Sequence, residues 1–164
     1  MKHLKAAAII LGVLFIMNTT SPTSLAAQGS AIKLTIVNPS KLYDPVPNGY
    51  SHAVIAKGGS RIAYISGQGG EDKTGVLSPK FVDQVEQAYN NLRVALDAMN
   101  AKPSQVTKIT TYVVNYNPSM LKEMTRRIKE MFGDALPAQT LVPVPRLALD
   151  GMLFEVDAIA ILDK

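Results

Sequence analysis

The 164-residue chain has no cysteine and no tryptophan, and it has only two histidines. Each absence removes a class of function. Without cysteine there can be no disulfide, no thiolate nucleophile and no sulfur-ligated zinc. His3 and His52 are too few for the imidazole set of a zinc site, so neither metal nor cofactor is expected. Charge of one sign is also scarce: 17 Lys and Arg stand against 13 Asp and Glu. That balance is too mild to argue for nucleic acid, and no basic run is interleaved with aromatics. Residues 67–75 hold four glycines but lack the order of a phosphate cradle. They read as a mobile surface loop near a site. Ser66, His52 and Glu155 are the residue types of a hydrolase triad, but no nucleophile elbow accompanies them.

The beginning of the chain has the three parts of an export signal. Residues 1–5 carry Lys2, His3 and Lys5, residues 6–17 are apolar, and Ser24-Leu25-Ala26-Ala27 offers small residues for cleavage. The apolar run is short for a retained membrane span. Residues 1–26 are therefore expected to be removed, leaving residues 27–164 as one periplasmic or secreted domain with no membrane contact. Loss of Lys2 and Lys5 lowers the formal charge from +4 to +2.

Along the remaining chain, residues 31–37 alternate weakly and suggest a strand. Pro39, Pro45 and Pro47 make the next stretch a loop. Residues 51–57 and 61–66 flank Gly58-Gly59 and predict a β-hairpin. Residues 81–99 place Phe81, Val85, Ala88, Leu92, Leu96 and Met99 on one helical face, with Ser78 as the expected cap. The β-branched run 106–114 predicts a buried strand. Residues 120–132 predict a second amphipathic helix, ended by Gly133. Helix-length crossovers imply some parallel pairing. Two helices can cover only one face of a six-stranded mixed sheet, so the other face needs cover from further subunits.

The chain is organised around residues 135–162, which predict strands at 139–144 and 153–162. In the second strand Phe154, Val156, Ala158 and Ala160 share one face, and Glu155 and Asp157 share the other. Paired carboxylates on an apolar strand fit either a wet outer face or a cleft that positions water or substrate.

Several motifs here carry a family resemblance. They are Pro137-Ala138, the Val-x-Val-x-Arg-Leu of Val142 to Leu147, and Glu155-Val156-Asp157-Ala158-Ile159-Ala160. To these add Tyr50-Ser51 with Ala53-Val54, Ser66-Gly67-Gln68, Gln84, Gln87, Asn91-Leu92, and the run Val106 to Thr110. In order and spacing they resemble the Rid (reactive intermediate deaminase, YjgF-like) family over residues 48–162. The resemblance implies an α+β, chorismate-mutase-like single domain that forms homotrimers, with small-molecule sites in clefts between subunits. It implies that Glu155 holds the attacking water, and that Tyr50 and Ser66 line the cleft. Gln139 stands where the resemblance implies an arginine that grips a substrate carboxylate. His52 is either an ordinary strand residue or a proton shuttle.

Three functions follow as expectations. The first is hydrolysis (deamination) of an enamine, imine or related small C=N compound with altered specificity. The second is non-catalytic small-molecule binding by the same homotrimer. The third is ribonuclease activity, which the mild charge disfavours.

Overall fold

The computed structural model describes residues 31–163. The export signal of residues 1–26 lies outside the described residues. The elements are β1 (Lys33–Val37), β2 (Ala53–Lys57), β3 (Arg61–Gly69), α1 (Phe81–Ala98), β4 (Val106–Val114), α2 (Leu121–Phe132), β5 (Ala138–Val144) and β6 (Phe154–Leu162). Among the described residues no helix is long and apolar enough to cross a membrane.

Four strands form one mixed sheet in the order β3-β6-β4-β5. β6 is antiparallel to both β3 and β4, and β4 is parallel to β5. α2 makes the crossover that a parallel pair requires. Pro143 lies within β5, which is an edge strand, so its missing donor costs the sheet little.

Both helices press on one face of this sheet. The 3-4 spacing of α1 buries Val85, Ala88, Leu92 and Leu96, and α2 contributes Met124, Ile128, Met131 and Phe132. The strands answer with Ile65, Ile109, Val113, Phe154, Val156, Ala158 and Ala160. Strict alternation along β6 therefore turns Glu155 and Asp157 to the opposite face. Phe154 is central to the core, wholly buried with its ring against Phe81 and Tyr89. Phe154→Ala should cost about 3–5 kcal/mol of stability. A lower midpoint of chemical unfolding measures that loss.

Two expectations need correction. The six strands make two sheets, because β2 pairs with β1 over five residues and not with β3. Gly58 and Gly59 do turn the chain, with φ of 81° and 76°. However, a side chain at Gly59 would strike Ile161, so the turn packs on the end of β6. The chain enters β2 beside β5, where Ser51 bridges Ala138, and leaves it at the end of β6, where Ser60 N–H donates to Leu162 O. Alternation and a glycine turn are equally compatible with either partner for β2. The second correction is that Ser78 is not the N-cap. That position is Lys80, and the Ser78 hydroxyl accepts from Lys80 N–H and donates to Asp83.

Candidate functional site

The singled-out residues fall into two groups on opposite faces of the sheet. The first group lines a groove of about 290 Å³ between α2 and the start of β5. Its walls include Tyr43, Tyr50, Leu121, Thr125, Gln139 and Leu141. Gln139 points to the helix side because its register partner is Ile109, which is wholly buried under the helices. Its amide nitrogen lies 3.3 Å from Thr111 Oγ1. Tyr50 is aimed by the turn before it, where Gly49 takes φ 83° against Thr125 and Thr125 Oγ1 donates to Asn48 O. Tyr50, Tyr43 and His52 form an edge-to-face trio with centroids 5.2–6.4 Å apart. His52 Nε2 is 2.9 Å from Tyr43 O, and its backbone N–H donates to Asn38 Oδ1. His52 thus braces the aromatic wall. Among the described lining residues none is charged, so the groove suits a neutral, partly apolar ligand.

The second group lies on the face away from the helices, where Ile62 and Tyr64 of β3 are exposed. The β3-β6 register slips between Ile65 and Gln68, which makes Ser66-Gly67 a bulge. The Glu155 carboxylate lies directly over Gly67, at the place a side chain there would occupy. Ser66 is in that bulge and exposed. Burial, then the charges of Asp157 and Glu71, push the Glu155 carboxyl above the usual glutamate range. Asp157 is held by Thr110 N–H and by the Tyr112 hydroxyl, each at 3.1 Å. The bond to Asp157 in turn holds the Tyr112 phenol up. Lys108 adds a cation, its ammonium lowered by burial and hydrogen-bonded to Thr140.

Within one chain, then, Glu155 and Ser66 share a face, Tyr50 and Gln139 share a groove, and the sheet separates the pairs. The two arginines near these motifs are engaged elsewhere. Arg61 donates to Asp163 O, and Arg146 pairs with Asp150. Among the described residues no three His, Asp or Glu side chains gather as metal ligands.

Gln84 and Asn91 were marked by the family resemblance, but their positioning roles were not legible in the sequence. Gln84 is wholly buried, donates to Ser78 O and Gly151 O, and accepts from Leu153 N–H. It ties α1 to the segment that leads into Glu155. Asn91 donates to Gly69 O and Glu71 O, and Asp72 accepts from Thr74 N–H and Val76 N–H. Residues 67–75, expected as a loop, instead begin as the end of β3 (Gly67–Gly69) and continue as a hydrogen-bonded turn. Polar residues on the inner face of α1 were the available signal.

A two-helix layer over a mixed sheet, with an acid on the open face and an uncharged groove beside the helices, defines a protein of α+β class. The chain belongs to the Rid family, matched over residues 44–162 and described as endoribonuclease L-PSP. It is 29% identical over 122 residues to a 2-iminobutanoate/2-iminopropanoate deaminase of Dermatophagoides farinae, covering 73% of this chain and 91% of that one. Its fold is similar to that of the Rid-family protein YyfB from Yersinia pestis, with a TM-score of 0.75 and 33% identity. That match covers 79% of this chain and 98% of the other. RidA from the Antarctic bacterium Psychrobacter is also similar, at TM-score 0.57 and 26% identity over 69% of this chain and 88% of its own.

Proposed function

We propose that the protein is an exported, homotrimeric hydrolase of enamines, imines or related small C=N compounds, with selectivity shifted toward uncharged substrates. The observation that carries this reading is Glu155, a desolvated carboxylate set over the Gly67 bulge beside Ser66. Hydrolysis of C=N needs a water aimed at the carbon and a proton route to the nitrogen. Glu155 takes a proton from the water as its oxygen bonds to carbon. The C=N π pair moves to nitrogen, which receives that proton; the remaining hydroxyl proton follows it as the C–N bond breaks, and ammonia leaves with a carbonyl product.

The homotrimer is supported by the separation of the two groups and by the exposed apolar side chains of β3. Packing the open face of one copy against the groove of another would bring Glu155 and Ser66 to Tyr50 and Gln139 and bury those side chains. Export rests on the basic, apolar and small segments of residues 1–27. The selectivity rests on Gln139. An amide offers no charge to a carboxylate, and none of the described lining residues is a cation.

The same neutral groove favours a second reading, a binding homotrimer that kept the cleft and lost the chemistry. The assay that separates them follows ammonia release from imines generated in situ, against their spontaneous decay. The hydrolase speeds release, most for imines without a carboxylate. A trimer that binds such compounds without speeding release is the binding protein.

A further inference from the structure

Glu71 has no part in the reading above, yet its side chain is placed with the reacting group. Gly69 is the cross-strand partner of Glu155. The Glu71 carboxylate covers Gly69 as the Glu155 carboxylate covers Gly67, two residues earlier on the same strand. In both cases a Cβ would collide with the acid, so two glycines admit two carboxylates side by side. Glu71 is fixed there through its backbone: its carbonyl accepts from Asn91 and its residue bridges Leu77. The side chain itself does none of this anchoring. Glu71 Oε2 is shut away from solvent without a hydrogen-bond donor, beneath the Met152 thioether. A shielded carboxylate oxygen without a donor is costly, and its charge is poorly screened.

We propose that Glu71 is a positioning residue for the reaction: its carboxylate, fixed over Gly69, helps to hold the proton on Glu155. This rests on the role given to Glu155. The groups facing Glu155 are few. Asp157 adds a second like charge from β6, Tyr112 a phenol from β4, and Lys108 a cation beside Asp157. Asp157 is already matched by Tyr112 and Thr110 N–H. Glu71 is the acid with no such partner at Oε2, and its charge acts on Glu155 in addition to burial and the larger effect of Asp157.

The test is a carbon-detected NMR titration of the Glu155 carboxyl in the folded full-length protein, wild type and Glu71→Gln. In the wild type the resonance should titrate above the usual glutamate range. Glu71→Gln keeps the backbone anchors and should move the midpoint down. An unmoved midpoint in folded Glu71→Gln overturns the proposal. So does a wild-type midpoint in the usual range, a result that needs no variant. The acid limb of the pH–rate profile should move down with the midpoint. Should no imine be turned over, the hydrolase reading fails while the titration still decides the role of Glu71.

Discussion

Glu155→Ala is expected to lower imine hydrolysis by about 10²- to 10⁴-fold, the usual worth of a positioned acid–base group. The rate should fall close to that of spontaneous decay. Binding in the groove should persist, because the walls formed by Tyr50, Gln139 and Leu141 are unchanged by the substitution. The more conservative Glu155→Gln should lose activity similarly, since an amide cannot take the proton from water. Stability gives an independent check with a defined sign. Burial and two like charges raise the Glu155 carboxyl in the folded state, so ionising it opposes folding. In the wild type, stability is lost as pH rises from the ordinary glutamate range through the raised folded value. Glu155→Gln should be free of that loss and should gain on the wild type above it. Unfolding midpoints at acid and neutral pH measure the difference. An inactive Glu155→Gln that is less stable at neutral pH would mean structural damage.

Gln139→Arg should act in the opposite direction. A charge-assisted hydrogen bond contributes about 1.5–3 kcal/mol, roughly ten- to a hundredfold in rate constant. The gain should appear only with imines that carry a carboxylate, and uncharged substrates should gain nothing. The position is favourable for such a change. The residue opens into the groove at the start of β5. Adding Glu155→Ala to Gln139→Arg should remove the gain. A folded, assembled Gln139→Arg protein that gains nothing would mean the groove does not receive the substrate carboxylate, and would favour the binding reading.

Much of this architecture was legible in the chain because it follows from period. The 3-4 spacing of α1, the β-branched run of β4 and the alternation of β6 each depend on one element alone. Alternation likewise put Glu155 and Asp157 on one face before any fold was known. The partner of β2 was not legible, because hydrogen-bond pairing is a choice between distant segments with similar apolar patterns. Nor was the separation of Gln139 from Glu155 by the sheet. It depends on the registers that set Gln139 beside Ile109 and Glu155 beside Tyr112, two neighbours of opposite facing on β4. Glu71 was hidden for another reason. Its place beside Glu155 comes from the bulge at Ser66-Gly67 and from hydrogen bonds of Asn91 and Asp72, which leave no periodic trace. The motifs that carry the family resemblance marked the region without giving these contacts.

The central claim is that one chain carries the acid, a neighbouring chain carries the groove, and neither suffices. Mixing subunits tests it most directly. Glu155→Ala chains and groove-filled Gln139→Trp chains are each expected to be inactive alone. Unfolded together in equal amounts and reassembled, they should form trimers by light scattering. Some interfaces then pair an intact groove with an intact Glu155, and random assembly in a cyclic trimer makes that about a quarter of all interfaces. Recovery of about a quarter of wild-type imine hydrolysis is the expected result. Mixed trimers that form fully and recover no activity would contradict the claim.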